Sequence, residues 1–512
     1  MIQTITPGEM KAYETLVMAH TTITSEWLMQ NAAQAVADEV LSRQNLHTVL
    51  VFCGCGNNGA DGMAALRKIL VANPQIQGIC VLLPGRLSVD AQREAEALQK
   101  VGERLQFLPW TEYVSMPAET PDLVIDALFG TGLSRSISGE AAEAVGRVNL
   151  FHEEGSFVIA VDIPSGLNGE TGEVLGSAVF ADVTITFHRP KPGFYLQAGP
   201  NHTGDIRVAD IGLRQPACEA FPEPPGWHIL SKEDIQRLLP KRKPVSNKGS
   251  YGKLLLWVGS FGMAGAAAIC ATAALRTGAG LVTVACPEKM VPIVQILCPC
   301  ATCLPLPENA TRASELLCAA LHKCDAFGLG CGLGQSEDTA AILKEVLREL
   351  SIQNKLAVVD ADALNLISQM EIPLPEGRFF LTPHPGEAAR LLHCDVARVT
   401  ATAPDCALRL ADTYGAAVVL KGTASLIVAG GERFISPYGT PGMAKGGSGD
   451  ALTGVVAALL AGRAAGAYTM TDGELLACAC GLHGLSGEAA AQTCGQRGML
   501  ATDLCNQLGL LE

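Results

Sequence analysis

Positive charge is in short supply in this chain. Its 37 Lys and Arg are outnumbered by 51 Asp and Glu, for a formal net charge of −14. A general nucleic-acid binder needs a basic face, so that class is excluded; a local site for a small phosphorylated ligand is not. Charge of either sign is sparse, at 17% against 48% apolar residues, which excludes a disordered chain. Uninterrupted apolar runs stay short of the ~18 residues that a membrane span requires. The opening stretch MIQTITPGEMKAYE lacks the basic and apolar regions of an export signal. The expectation is a cytoplasmic protein in which most of the 18 cysteines are free, small hydrophobes. CPCATC (Cys298, Cys300, Cys303) contains a C-x-x-C, but the second pair or histidines that zinc would need are not evident.

The 512 residues are too many for one core, and two α/β patterns are present. In the first, TVLVFC (48–53), GICVLL (78–83), DLVIDA (122–127), FVIAVDI (157–163) and DVTITF (182–187) read as strands alternating with helices, after a helix expected over 9–43. Four prolines within 214–227 can continue neither a helix nor a central strand, and mark a linker. A second pattern follows: KLLLWVG (253–259), GLVTVAC (280–286), CDAFGLG (324–330), LAVVDAD (356–362), RFFLTPH (378–384) and AAVVLKG (416–422), then helices rich in Ala and Gly. The fold class is α/β in two domains, 1–213 and 228–508, the first a Rossmann-like doubly wound sheet.

In VLVFCGCGNNGADGMAAL (49–66), Gly54, Gly56 and Gly59 fit the G-x-G-x-x-G of a dinucleotide phosphate cradle. That motif needs an acid about 20 positions on, at the end of the second strand, and Leu83 and Pro84 stand there instead. Asn57, Asn58 and Asp61 remain to be explained, either as ordinary turn and cap residues or as ligands facing the crevice. Two further strand ends favour the second reading. DALFGTGLSRS brings Asp126 and the turn Gly130, Thr131, Gly132; VDIPSGLNGETG brings Asp162, Pro164, Ser165 and Gly166. Amide, carboxylate and hydroxyl oxygens suit a hard cation, and the backbone N–H groups of GTGLSRS suit phosphate.

NNGADG, DALFGTGL and VDIPSGLNGETG, in this order, resemble the YjeF N-terminal domain, the NAD(P)HX epimerase, over about 9–213. In that family the loop reads N-N-G-G-D-G, so Ala60 departs from it, adding a methyl where the backbone approaches substrate. The resemblance implies potassium held by Asn58, Asp126 and Ser165. It implies NAD(P)HX contacts along Asn57, Asn58, Gly59, Ala60 and Asp61, along Gly130, Thr131, Gly132, Leu133, Ser134, Arg135 and Ser136, and at Asp162. FHRPKPG also fits and makes Lys191 a candidate catalytic partner, the alternative being a solvent-exposed lysine. A carboxylate and an amine near the nicotinamide ring can shuttle protons as the C6 hydroxyl is lost and regained.

In YGTPGMAKGGSGDALTGVVAALLA (438–461), Gly442, Gly446, Gly447 and Gly449 precede Asp450 and an apolar helix. A glycine-rich turn into a helix start is an anion hole for a transferring phosphoryl group, and an aspartate there can accept the proton of a substrate hydroxyl. The alternative is that Asp450 merely caps the helix. No G-K-[ST] is present, so this is not a Walker loop. It looks like the G-[ST]-G-D signature of ribokinase-like α/β folds. GSFGMAGAA (259–267), GLGCGLG (328–334), VVDADALN (358–365), TPHPGEAARLL (382–392) and LKGTASLI (420–427) extend the likeness to the YjeF C-terminal domain, the nucleotide-dependent NAD(P)HX dehydratase, over about 228–508.

That resemblance implies Asp450 as base, and an adenine nucleotide along Lys421, Gly422, Thr423, Ala424, Ser425 and Gly449. It implies that Ala264, Gly332, His384 and Asp450 meet NAD(P)HX, and that Glu387 reaches magnesium directly or through water, with Asp360 and Asp362 weaker candidates for that task. Phosphorylation of the C6 hydroxyl by ADP or ATP, then elimination, would restore NAD(P)H. The expected protein is a homo-oligomer with no nucleic-acid or membrane partner. Two rivals stay open: a hydroxymethylpyrimidine- or sugar-type kinase with a regulatory N-domain, and an N-domain that only binds a ligand.

Overall fold

The computed structural model describes every residue except 118, 214–220, 240, 372–373, 376–377 and 511–512. Residues 214–220 of the expected linker therefore lie outside the described residues. The chain divides after Gly226: Gln3–Gly226 forms one compact unit, and Trp227–Glu512 with Met1–Ile2 forms the other.

The first unit is built on seven parallel strands, in the spatial order Leu105–Pro109, Gln77–Leu82, Thr48–Cys53, Leu123–Ala127, Phe157–Val161, Val183–Phe187 and Asp205–Ala209. The sheet starts in its middle, at Thr48–Cys53, steps outward twice, then returns to the other side through Leu123–Ala127. The carboxyl ends of these two strands flank the switch point, where open α/β sheets form their ligand crevice. The inner strands are the apolar runs seen in the sequence. Leu105–Pro109 and Asp205–Ala209 are edge strands with mostly part-exposed side chains, and carry no such run. The helix expected over 9–43 is two, Pro7–His20 and Ser25–Leu41. Thr6 and Glu9 cap the first reciprocally, with Pro7 in its first turn. The β-branched run Thr21–Thr24 ends it, and Thr24 accepts from the Trp27 N–H to open the second.

The second unit has a mixed sheet. From His228–Ile229 it passes through Glu432–Ser436, Ser425–Ala429, Ala417–Leu420, Arg378–Leu381, Leu356–Val359, Ala326–Leu329, Lys253–Trp257 and Leu281–Pro287 to Thr302–Leu306. Its switch point lies between Lys253–Trp257 and Ala326–Leu329, which pair in parallel. Ser425–Ala429 runs antiparallel to both of its neighbours, and its hairpin turns on Gly430 and Gly431, at φ 58° and 87°. The Ala- and Gly-rich stretch forms the helices Ser448–Ala464, Asp472–Cys494 and Ala501–Gln507. Ser448–Ala464 is buried from Ala451 to Gly462. Small side chains let it lie close against Ala264–Thr277: a Cβ on Gly454 would fall 2.2 Å from the Cys270 carbonyl oxygen. Among the described residues no helix is long and apolar enough to cross a membrane, and no group of three or more His, Cys, Asp or Glu is placed to hold a metal.

Candidate functional sites

The loop after Thr48–Cys53 holds its glycines for internal reasons. A Cβ on Gly54 would lie 2.0 Å from the Leu128 carbonyl oxygen, and one on Gly59 would lie 1.9 Å from that of Gly54, whereas Gly56 faces open space. Gly54 and Gly59 let the two switch-point loops touch backbone to backbone, which explains the motif without a pyrophosphate. The helix Asn57–Ala72 then presents Asn57, Asn58 and Asp61 to a cavity of about 540 Å³, together with Gly130–Leu133 and Asp162. Gly59 and Ala60 are not in this lining. Ala60 is buried within the apolar cluster on the other side, so its methyl does not meet a ligand there, contrary to expectation. Ser134, Arg135 and Ser136 continue the Gly130 loop in exposed positions beyond the lining.

Asp162 follows Phe157–Val161 with φ 65°, in the left-handed region that non-glycine residues seldom adopt. Its Oδ1 accepts from Lys191 Nζ at 2.7 Å and from Thr186 Oγ1 at 3.2 Å. A Cβ on Gly130 would come within 3.4 Å of Asp162 Oδ2 and 3.1 Å of Asn58 Oδ1, so glycine spares these two oxygens a tight contact. Lys191 is 0% exposed and also donates to Thr186 Oγ1 at 2.8 Å, with the Phe187 and Arg189 carbonyls at 3.4 Å. It is neither a solvent-exposed lysine nor part of the lining, and it acts on the cavity through Asp162.

Asp126 is fully buried. Burial pushes it up to about 6, against hydrogen bonds from Ser165 and Leu128 that pull it down. Ser165 Oγ donates to Oδ1 at 2.6 Å and Ser165 N to Oδ2 at 2.8 Å. Among the described residues no cationic side chain acts on this carboxyl. Asn58 Nδ2 is buried without a protein partner among them. A monovalent cation would supply the missing charge at Asp126 and Ser165; the unpartnered Asn58 Nδ2 is a donor, so of that side chain only Oδ1 suits the potassium that the motifs imply.

In the second unit the helix Ser448–Ala464 starts from Gly447 at φ 97°, and Asp450 lies in its first turn. Ser448 Oγ donates to the Met443 carbonyl at 2.8 Å and fixes the glycine loop. A Cβ on Gly449 would lie 3.6 Å from Lys421 Nζ and 3.9 Å from Asp360 Oδ2, which brings the GSGD loop, the VVDAD strand end and the LKGTAS turn together. Lys421 donates to Asp360 Oδ1 at 2.8 Å, and Thr453 Oγ1 to Oδ2 at 2.7 Å. Burial works against the Lys421 ammonium, but Asp360 and Glu387 outweigh it and hold it above its ordinary value. Burial raises Asp450 too, while a hydrogen bond with Cys331 lowers it. Gly332, at φ 61°, packs on Met263 and Ala266 where the helix Ala264–Thr277 begins. Thr423 is exposed, and Ala424 is buried with its side chain turned from solvent.

His384 and Glu387 also serve a helix start. His384 Nδ1 accepts from the Gly386 N–H at 2.9 Å and Glu387 Oε2 accepts from the His384 N–H at 2.7 Å, so the pair caps the helix Pro385–Leu391. Glu387 Oε1 lies 3.3 Å from His384 Nε2, and Glu387 is 4% exposed. Both carboxylate oxygens are committed within the chain, and burial pushes the group up to about 7. Glu387 Oε2 also lies 3.8 Å from Lys421 Nζ, which ties this helix start to the Asp360–Lys421 pair. Asp362 is likewise engaged, accepting from Gly334 N at 2.9 Å and Gln335 Nε2 at 2.8 Å. The sequence reading missed Glu14, in the lining of the first cavity, because no motif surrounds it.

Both units match known proteins. Residues 25–193 match the family described as YjeF-related protein N-terminus, and residues 254–509 match the family described as NAD(P)H-hydrate dehydratase. The bifunctional NAD(P)H-hydrate repair enzyme Nnr of Moorella thermoacetica is 35% identical over 98% of this chain and 95% of its own length. The enzyme of that name from Escherichia coli K12 is 34% identical over 90% and 84%. A solved ribokinase-like superfamily protein from Enterococcus faecalis V583 aligns with TM-score 0.50 and 30% identity, covering 56% of this chain and 94% of that one. With both halves matched in one order over nearly the full length, the chain belongs to the family of bifunctional NAD(P)H-hydrate repair enzymes.

Proposed function

We propose that the chain repairs hydrated NAD(P)H, with the Gln3–Gly226 unit interconverting R- and S-NAD(P)HX and the Trp227–Glu512 unit dehydrating the S form with ADP or ATP. What carries this reading is the pairing, in a chain of that family, of two differently equipped switch-point sites. One has a carboxylate braced by a buried lysine; the other has an aspartate at a glycine-rich helix start beside a second Asp–Lys pair.

In the first site Asn57, Asn58, Asp61 and the Gly130–Leu133 turn hold the nucleotide, and Asp162 faces the ring. Potassium, held by Asn58, Asp126 and Ser165, would neutralise the buried Asp126 and steady the turn. In the second, Asp450 takes the proton of the C6 hydroxyl as a phosphoryl group is transferred to it. Loss of phosphate from C6 and of a proton from C5 then restores the ring double bond. Lys421 and the N–H groups around Gly449 balance the phosphate charge, while Gly422–Ser425 lies along the nucleotide. Ala264, Gly332 and His384 border NAD(P)HX. Magnesium enters with the nucleotide phosphates, and Glu387 reaches it directly or through water.

The test is to incubate the purified chain with mixed R- and S-NAD(P)HX, magnesium and ADP or ATP, and follow the absorbance of the reduced ring. Full recovery of both epimers is expected. A stable phosphorylated alcohol without restored absorbance would make it a kinase. The assembly is a homo-oligomer in this reading, and light scattering on the same sample measures it.

A further inference from the structure

The helix Pro7–His20 precedes the sheet and carries no motif, yet it walls the first cavity with Met10, Lys11, Glu14 and Met18. It is docked on the segment that bears Lys191. Tyr13 stacks on His188 with ring centroids 5.5 Å apart, the Ile5 N–H donates to the Pro190 carbonyl at 2.9 Å, and Pro7 and Lys191 both crowd Gly169. Tyr13 is 3% exposed, so the turn that carries its neighbour Glu14 is fixed. Glu14 thus enters a cavity whose other ionisable groups are Asp61 from the helix Asn57–Ala72, Asp90 from Val89–Leu98, Asp162 from the strand end, Lys11 from its own helix, and the Cys55 thiol, which burial pushes up, from the loop after Thr48–Cys53. Lys191 stands behind Asp162.

We propose that Glu14 is a further catalytic residue of the epimerase, the proton donor to the C6 hydroxyl as it leaves. This rests on the epimerase reading of the same cavity. As the C6–O bond breaks, the N1 lone pair forms an N1–C6 double bond and the Glu14 proton passes to the departing oxygen, releasing water. Water then adds to the other face of C6 and gives its proton to the Asp162 carboxylate. Proton transfer from Asp162 to Glu14 restores both groups, and nothing is consumed. Asp162 is placed as the acceptor of the two, since it already takes hydrogen bonds from Lys191 and Thr186. Burial, reinforced by Asp162 and opposed by Lys191, pushes Glu14 up to about 7, where an acid both holds and gives up a proton near neutrality. Asp61 is driven well above the usual carboxylate range by burial and by Asp162, Glu14, Asp90 and Glu94.

The experiment compares full-length wild type, Glu14→Gln and Glu14→Asp in direct epimerisation of pure R-NAD(P)HX, resolved by chromatography without nucleotide. Glu14→Gln should lower kcat by ~10²-fold or more with KM nearly unchanged, and Glu14→Asp should recover part of the loss. Wild-type epimerisation should decline as pH rises through about 7, because the acid form is lost there, and the Gln variant should lack that limb. Dehydration of pure S-NAD(P)HX and the melting temperature should match wild type in both variants. A Gln variant within about threefold of the wild-type rate, or one retaining the alkaline limb, overturns the assignment. If wild type itself does not exceed the spontaneous rate, the epimerase reading falls and takes this assignment with it, an outcome distinct from a normal wild type with an indifferent variant.

Discussion

The two units solve the same layout with opposite use of their charges. Each sheet begins at an inner strand, builds outward on one side and returns to the other, and each sets an Asp–Lys pair with a threonine at the carboxyl edge. In the first unit the lysine is 0% exposed and spends its donors on Asp162, Thr186 and two carbonyls. The carboxylate is left facing the cavity, where the proposed function uses the pair as a braced base. In the second unit the Lys421 side chain is 19% exposed and lies by Gly449. There the carboxylate is the more buried partner, at 2% side-chain exposure, and the lysine keeps some exposure; in the proposed function it meets phosphate and Asp450 is the base. The glycines divide within each loop, Gly56 also being open and a Cβ on Gly447 falling 2.9 Å from Ala501 and Ile269. Gly54 and Gly59 are closed by backbone, whereas Gly446 meets nothing within 4 Å and can admit a ligand.

The largest effect should come from separating the two bases. Asp450→Asn should lower dehydration of S-NAD(P)HX by ~10²–10⁴-fold while R-to-S conversion continues. Asp162→Ala should do the reverse, supplying S from R only at the spontaneous rate. Single-turnover assays on pure epimers measure both, with unchanged melting as the control. Loss of both activities in either variant would mean that the two sites are not independent.

The lysines should break the likeness next. Lys191→Met removes a fully buried partner and leaves Asp162 unpaired, a loss of roughly 3–5 kcal/mol in unfolding of the first unit. Lys421→Met should cost less, because water can reach its place, and should appear mainly as a raised KM for the nucleotide. Denaturant unfolding and nucleotide titration separate these outcomes. Equal destabilisation by the two substitutions would remove the distinction drawn here.

Much of this contrast was legible in the sequence, because strand-end loops concentrate polar residues that an apolar core cannot use. Asp126, Asp162 and Asp360 lie in or close a run of buried residues, and Asp450 comes just before one, and that discontinuity is visible without coordinates. Roles were less legible than positions. Lys191 reads as a site residue from its FHRPKPG context, but only packing shows that it acts from behind Asp162. His384 and Glu387 read as ligand residues, and only the structure shows that they also cap the helix Pro385–Leu391. Glu14 escaped because its partners lie in distant segments, and the break between Pro7–His20 and Ser25–Leu41 escaped because both halves have helical spacing. The edge strands escaped because half-exposed strands lack apolar runs.

The smallest effect is the sharpest check on the glycine comparison. Ala60 stands where the family motif has glycine, and two explanations of that position predict opposite results for Ala60→Gly. If the methyl pressed on substrate, its removal would lower the KM for NAD(P)HX. The structure puts Ala60 at 0% exposure, inside the helix Asn57–Ala72 and in the apolar cluster with Met63, Ala64 and Val36. It is Asn57, Asn58 and Asp61 that turn to the cavity. Glycine at such a position loses the helix preference of alanine, about 1 kcal/mol, and also leaves a methyl-sized gap among packed side chains. The substitution should therefore lower the unfolding free energy of the first unit by about 1–2 kcal/mol with KM and kcat for epimerisation unchanged. The second unit's dehydration rate should not move at all. A tighter KM at constant stability would place the residue-60 methyl in the ligand site and make the Asn57–Asp61 loop, like the Gly446–Gly449 loop, one whose glycines are kept open for a ligand.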